Sequence, residues 1–177
     1  MYASDILKGE HRIIERMLNV LRRTLSREVS IDTIDRCLDF IRVFADKCHH
    51  GKEETVLFPV LEAKGIPREG GPIGVMLLEH EQGRGYIRAL SEAIDLYRSG
   101  VLEAKERIYE NITNYVNLLT QHIHKEDNIL FPMGDSVLDA EEHRELIEDF
   151  ERVEEERIGV GKHEEYIKLL ERIELEV

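Results

Sequence analysis

Cysteine, proline and tryptophan are scarce or missing in this chain, and each shortage narrows what the protein can be. The 177 residues include two cysteines, four prolines and no tryptophan. Cys37 and Cys48 fall in one predicted helix, about 16 Å apart along its axis, which is too far for a disulfide. We therefore expect both to be reduced core residues. The scarcity of proline, together with long stretches rich in Glu, Lys, Arg, Leu and Ile, favours helices.

The chain also lacks long apolar runs and an excess of basic residues. No apolar stretch approaches the length of a membrane span, and no secretory signal precedes the first predicted helix. We therefore expect a soluble, cytoplasmic protein. The formal charge of −13 argues against nucleic acid and against anionic membranes as partners, since both require a basic patch. A hydrophobic content of 42% is enough for one domain with a sizeable core.

What the chain does contain is an eleven-residue segment that occurs twice. HHGKEETVLFP at 49–59 and HIHKEDNILFP at 122–132 match at six positions without a gap. Each copy carries a His-x-x-x-Glu pair, followed four residues later by Leu-Phe-Pro: His49 with Glu53, and His122 with Glu126. Residues four apart lie on one face of a helix, so each pair can bind one metal ion, or one ion of a metal pair.

Apolar residues spaced three and four apart predict four long helices joined by short loops. The helices are expected at about 4–26, 32–64, 72–98 and 102–132. Pro59 is expected to bend or end the second helix, because it lacks a backbone donor. Four long helices with short connections predict an all-α fold, an up-down-up-down four-helix bundle, which we assign to residues 1–138.

The last part of the chain, residues 139–177, is predicted to be an acidic helical extension. Residues 141–177 hold 14 Asp and Glu against 6 Lys and Arg. Two amphipathic segments, 139–157 and 162–175, are expected to be helical. They have too little apolar surface to fold alone, so we expect them to pack on the bundle as part of the same domain. The acidity itself is typical of a solvated helix face.

Each of the four long helices is predicted to place one histidine on its apolar face. These are His11, His49, His80 and His122, and two of the helices add the inward acids Glu53 and Glu126. Buried acids are rare unless they are paired or bound to metal. The helical phase places His50 and His124 on the outer sides, so both are expected to face water, and Glu54 lies on the same outer line as His50.

The competing interpretation is a buried network of protonated histidines and glutamates, which must offset a large desolvation cost. We favour metal. Imidazole with carboxylate suits iron, manganese or zinc, and the absence of thiolates disfavours a structural zinc of the cysteine type. Four imidazoles and two carboxylates exceed the needs of one ion. They suit two ions bridged by Glu53 and Glu126, with two histidines on each.

The order of these residues resembles the hemerythrin-like family, the HHE cation-binding domain. The order is His11, His49-x-x-x-Glu53, His80 and His122-x-x-x-Glu126, and both Leu-Phe-Pro segments fit, as do 79–84 and 155–164. The resemblance covers essentially the whole chain. It implies a four-helix bundle with two non-haem iron ions, in which the four histidines are terminal ligands and the two glutamates are bridges.

One departure from the oxygen-carrying hemerythrins bears on function. Those proteins have His-x-x-x-His on the third helix, whereas Met76 stands four residues before His80 here. A thioether matches ferric iron poorly, so we expect Met76 to pack rather than bind. The carriers place their last carboxylate five residues after its histidine, where this chain has Asp127, a weaker candidate bridge than Glu126. The missing histidine argues against reversible oxygen carriage.

Three functions are compatible with the sequence. The first is a di-iron protein that binds or reacts with oxygen, nitric oxide or peroxide. The alternative is an iron-sensing or iron-storage module that acts through an unknown protein partner, and the third is a bundle stabilised by structural zinc. The sequence does not decide whether the protein is an enzyme.

Four further residues are candidates for a role at the site. Arg84 has two equal interpretations: it balances the charge of the bridging acids, or it lies along the helix edge at the surface. Tyr115 is expected to be a core residue. His143 and His163, both in the extension, are not expected to be ligands.

Overall fold

The protein folds into six helices without any strand, in a computed structural model that describes residues 1–177. The helices are α1 (Ala3–Thr24), α2 (residues 31–63), α3 (Pro72–Arg98), α4 (residues 104–137), α5 (Ala140–Arg157) and α6 (Lys162–Glu176). The prediction of an all-α helical bundle is confirmed. No helix has an apolar stretch long enough to cross a membrane.

Local sequence signals set most helix ends. The hydroxyl of Ser30 accepts the Thr33 N–H at the start of α2, and Asp139 and Glu142 form a reciprocal capping box at the start of α5. Gly65 follows α2 with a φ of 93°, a left-handed conformation that other residues adopt at a cost. These signals explain why the predicted boundaries agree with the observed ones to within a few residues.

Two helices contain π-helical turns, and in each of them one π-helical segment ends at the leucine of the repeated Leu-Phe-Pro. In α2 the π-helical segments are Ile41–His50 and Glu53–Leu57, and in α4 the segment is Glu126–Leu130. The Phe58 N–H donates to the carbonyl of Glu53, five residues earlier, just before Pro59. A proline ring clashes with the carbonyl four residues before it, and the wider turn relieves that clash.

The helices therefore continue past both prolines. α2 runs to Ala63, beyond Pro59, and α4 runs to Val137, five residues beyond its predicted end at Pro132. The expected end of the fourth helix at 132 is wrong for this reason, and the chain leaves the helix only at Leu138, which is extended.

A layer of polar side chains divides the core into two apolar clusters. Along α1 and α3 the residues of the smaller cluster precede the inward histidine in sequence, and those of the larger cluster follow it. Along α2 and α4 this order is reversed. The smaller cluster includes Phe58, Phe131 and Met76, and the larger includes the free, buried Cys37. Each helix thus contributes its histidine at the same level of the bundle, which is where the candidate site lies.

The C-terminal helices cover the bundle at both levels. Leu146 and Phe150 of α5 belong to the smaller cluster, and Leu170 and Ile173 of α6 belong to the larger one. α5 also lies close to α2, because a Cβ on Gly51 would approach the Cδ of Arg157 to 3.0 Å. The extension therefore buries its narrow apolar faces on the four long helices.

Candidate metal centre

The structure brings all six predicted site residues together at the centre of the bundle. They are buried: His11, His49, Glu53, His80, His122 and Glu126. Together with His50, they form two groups, and within each group the ligand atoms lie within 4.8 Å of one another. Group A consists of His11, His49, Glu53 and Glu126, and group B consists of His50, Glu53, His80 and His122.

Each inward glutamate lies between the two groups. Glu53 places Oε1 3.3 Å from Nε2 of His49 in group A, and Oε2 3.3 Å from Nε2 of His80 in group B. Glu126 also presents one oxygen to each group, with the roles of Oε1 and Oε2 exchanged. Its Oε2 lies 3.1 Å from Nε2 of His11, and its Oε1 lies 3.3 Å from Nε2 of His122. Each carboxylate can therefore contact an ion in either group.

The inward atoms fit a metal site better than they fit one another. Both carboxylate oxygens of Glu53 and of Glu126, and Nε2 of His11 and of His49, are buried without a hydrogen-bond partner. Unpartnered buried acids carry a large desolvation cost. Two ligands at right angles on an ion about 2.1 Å away lie about 3 Å apart, which matches the observed separations. The donor set of imidazole and carboxylate suits iron, manganese or zinc.

An outer layer of acids fixes the orientation of these imidazoles. Nδ1 of His11 donates to Asp127 at 2.6 Å, Nδ1 of His49 to Glu10 at 2.8 Å, and Nδ1 of His80 to Glu54 at 2.7 Å; Nδ1 of His122 faces Glu79 at 3.4 Å. A carboxylate on one ring nitrogen directs the other nitrogen toward the metal.

Sequence reasoning missed most of this outer layer. Glu54 was expected to lie outside the site, whereas it orients His80. Asp127, considered as a bridge, lies behind His11 instead of between the two groups. The sequence nevertheless contains a pattern that could have identified these acids. Each outer acid is adjacent in sequence to an inward ligand, as Glu10 is to His11.

His50 is buried, so the expectation that it faces water is wrong. Its ring stacks on that of His80, with centroids 3.9 Å apart and planes 17° apart. The expectation assumed the regular helical rotation per residue, but His50 ends the π-helical segment Ile41–His50, whose turns contain more residues. His124 lies on regular α-helix and is exposed, as expected.

The protein environment shifts several pKa values in opposite directions. Burial and the nearby Glu53 raise the pKa of Glu126, but the imidazoles of His122 and His11 together outweigh them and the result is about 2. Burial lowers the pKa of His49, yet Glu53 and Glu10 together raise it to about 10 overall. Burial also lowers the pKa of His50, to about 3. His50 is therefore a neutral imidazole at neutral pH.

A cavity of about 190 Å³ reaches group B but not group A. Its lining includes His50, His80, His122, Gly83 and Tyr115, and neither His11 nor His49 takes part. A Cβ on Gly83 would lie 3.6 Å from the Tyr115 ring, which is an ordinary van der Waals contact, so α3 and α4 pack here without requiring a glycine. Tyr115 is buried, as expected of a core residue.

Arg84 is tied to the outer layer of group B. Its guanidinium donates to Asp46 at 2.9 Å and to Glu54 at 2.7 Å. Asp46 faces Nδ1 of His50 at 3.3 Å, and Glu54 accepts from His80. Arg84 therefore balances the outer acids Asp46 and Glu54, and none of its hydrogen bonds reaches the bridging acids Glu53 and Glu126, as the first interpretation had it.

A second charged cluster links the extension to group A. Lys52 is buried, and its ammonium group contacts Glu10 and also Glu154 of α5, the latter at 2.7 Å. His163 of α6 lies 3.7 Å from Glu10. The single ammonium lies between two acids and so holds α5 against the outer layer of group A.

The two remaining histidines of the extension lie outside groups A and B. His163 belongs to the cluster around Lys52, and His143 is buried with Nδ1 accepting the Ala3 N–H at 3.1 Å. His143 thereby holds the start of α1 against α5.

Comparisons with known proteins find a matching family model and several relatives. The family model described as "Hemerythrin HHE cation binding domain" matches residues 2–134. The chain is 26% identical over 162 residues to an uncharacterized protein of Mycobacterium tuberculosis, covering 89% of this chain and 63% of that protein. It is 35% identical over 109 residues to the iron-sulfur cluster repair protein YtfE of Edwardsiella ictaluri, covering 55% and 46% of the two chains.

A protein with the same YtfE name from Yersinia pestis is 32% identical over 87 residues, covering 48% of this chain and 39% of that protein. The chain thus spans less than two thirds of the length of each of these curated relatives.

Proposed function

The chain belongs to the hemerythrin HHE cation-binding family, and we propose that groups A and B hold two non-haem iron ions bridged by Glu53 and Glu126. The observation that carries this proposal is that each glutamate presents one oxygen to a histidine of group A and the other to a histidine of group B. His11 and His49 would be terminal ligands in group A, and His80 and His122 in group B.

The choice of iron rests on the donors and on the relatives. Imidazole and carboxylate also accept manganese or zinc, so the donor set alone leaves three metals. Two of the relatives carry the name of an iron-sulfur cluster repair protein, which supports iron. When bound, the ion pair would supply electron transfer and a coordination position for a small molecule.

We further propose that this small molecule is oxygen, nitric oxide or peroxide, entering through the cavity beside group B. The cavity volume of about 190 Å³ suits a small ligand, and its inner wall includes His80 and His122. Arg84 and Tyr115 also line it. Arg84 places a positive charge beside the acids of the site, and Tyr115 contributes a buried ring opposite Gly83.

The test is reconstitution with iron followed by elemental analysis and electron paramagnetic resonance. We expect two iron ions per chain, with a suppressed ferric signal because two bridged ions couple magnetically. Glu53→Gln and Glu126→Gln should each lower iron content, whereas His124→Ala, which removes an exposed imidazole from the same helix as His122, should not. One uncoupled iron per chain, or retention of zinc alone under iron loading, would contradict the proposal.

The names of the YtfE relatives favour a second candidate, an iron-handling module that acts through a protein partner. The strongly acidic segment 141–177 would be the surface offered to that partner. The two functions differ in a measurable way. A small-ligand protein changes its absorption spectrum when nitric oxide is added, whereas an iron-handling module transfers iron to an apo acceptor. The reduced, buried cysteines suit the cytoplasmic location that we propose for either function.

A further inference from the structure

His50 is surrounded as a metal ligand would be, although a regular helical phase predicts that it faces water. It is buried, and its ligand atom lies within 4.8 Å of those of Glu53, His80 and His122. We propose that His50 is a fifth imidazole ligand, which makes group B a three-histidine site and leaves group A with two. This inference rests on the proposed di-metal centre.

The outer ring nitrogen of His50 has a carboxylate partner. Nδ1 of His50 faces Oδ1 of Asp46 at 3.3 Å, and Arg84 in turn holds Asp46. Every other histidine of groups A and B also has a carboxylate beside Nδ1. This arrangement leaves Nε2 for a metal ion.

Three histidines lie outside the two groups, and the one with an acid near Nδ1, His163 beside Glu164 at 3.8 Å, has its Nε2 facing Glu10 at 3.7 Å. Nδ1 of the exposed His124 faces the side-chain amide of Asn128 at 3.2 Å, and Nδ1 of His143 accepts a backbone N–H from Ala3. Neither has a carboxylate on Nδ1, and none of the three belongs to a group that contains Glu53 or Glu126. The pattern therefore separates His50 from the structural histidines of the same chain.

The local backbone also allows His50 to be a ligand. His49 and His50 are consecutive, yet one contributes to group A and the other to group B, and their ring centroids are 5.5 Å apart. A regular α-helix turns consecutive side chains about 100° apart, so both would not reach the same buried layer. The π-helical segment Ile41–His50 makes this possible, and π-helical turns occur frequently at functional sites.

The alternative role for His50 is packing, because its ring stacks on His80. His50→Phe separates the two roles, since phenylalanine keeps a flat ring but has no ligand atom. His50→Ala provides a second test. The space that the ring leaves adjoins the cavity that also contacts His80 and His122. Free imidazole can therefore enter that space and replace the ring. His124→Phe and His124→Ala are the matched controls.

The experiment measures cobalt(II) binding to the full chain by titration and by absorption, which reports the number of ligands around each ion. The wild type should bind two cobalt ions. His50→Phe should weaken one of them by at least about 10–100-fold, the loss typical of even an outer-layer partner, and change the spectrum. Imidazole should restore the spectrum of His50→Ala and leave that of His124→Ala unchanged.

The outcomes distinguish the two levels of the proposal. If His50→Phe binds two ions with wild-type affinity and an unchanged spectrum, His50 is a packing residue and the inference is wrong, while the di-metal centre stands. If the wild type itself does not bind two ions, the di-metal centre fails and the role of His50 fails with it. Circular dichroism of each variant shows that the bundle is folded.

Discussion

Glu54 on α2 accepts a hydrogen bond from Nδ1 of His80 on α3 at 2.7 Å. The same relationship continues around the bundle, one helix to the next. The acid–histidine pairs are Glu10 with His49, Glu54 with His80, Glu79 with His122, and Asp127 with His11. Each helix therefore offers an inward ligand and, at the adjacent residue, an acid that orients the ligand of another helix.

Removal of Glu54 should weaken metal binding without removing a ligand. We expect Glu54→Ala to lower iron affinity about 10–100-fold, the range for lost outer-layer partners, and Glu53→Gln to lower it further because a bridge is lost. The control is Glu81→Ala, since Glu81 is exposed and also contacts Arg84. Iron titration with a competing chelator measures the three affinities. Equal affinities for Glu54→Ala and Glu81→Ala would show that Glu54 does not support the site.

The sequence was sufficient for the helices and for the inward position of six residues. Apolar spacing determines which face of α1 or α3 is buried, and His11 and His80 follow from that face directly. The burial of His50 could not be predicted, because it depends on π-helical turns, which differ from the regular α-helical rotation per residue. Glu54 could not be predicted either. Its partner is on another helix, and the distance between two helices depends on packing that one helix does not encode.

Removal of the metal should destabilise the bundle. Groups A and B exist only in the folded chain, so bound ions stabilise it by about 2.7 kcal/mol at a free concentration 100 times the dissociation constant. For a chain of this size that is a loss of roughly 5–10 °C in melting temperature on chelation. Calorimetry of the loaded and chelated protein measures the shift. A melting temperature that does not change after verified metal removal would exclude a metal that binds at these groups.

Met76 should prove to be a packing residue. It is buried in the smaller apolar cluster with Phe58 and Phe131, one helical turn before His80. Met76→Leu conserves volume and apolar character, so we expect a loss of less than about 1.5 kcal/mol in unfolding free energy. Iron content and absorption should not change, because a thioether is a poor ligand for ferric iron. A variant that folds but binds less iron would identify Met76 as part of the site.

Lys52 should be important for stability despite its charge. Its ammonium group is buried between Glu10 and Glu154, and Glu10 in turn holds His49. Lys52→Met leaves two acids without their cation, which costs about 3–5 kcal/mol for a buried pair. Lys47→Met is the matched control, because Lys47 lies on the same helix and is exposed. Urea unfolding of the metal-free variants separates this effect from metal binding, and equal stabilities would contradict it.

The extension should unfold together with the bundle, as expected if residues 1–138 and 139–177 form one domain. Phe150 of α5 is buried in the smaller cluster, which also contains Phe58 and Phe131 behind the site. Phe150→Ala should therefore cost about 3–5 kcal/mol. Val160→Ala, in the exposed turn between α5 and α6, should stay within about 0.5 kcal/mol. Hydrogen exchange distinguishes the two architectures. In one domain, Phe150→Ala lowers the protection of the core amides of α1 and α4, whereas a separate extension would lose its own protection and leave theirs unchanged.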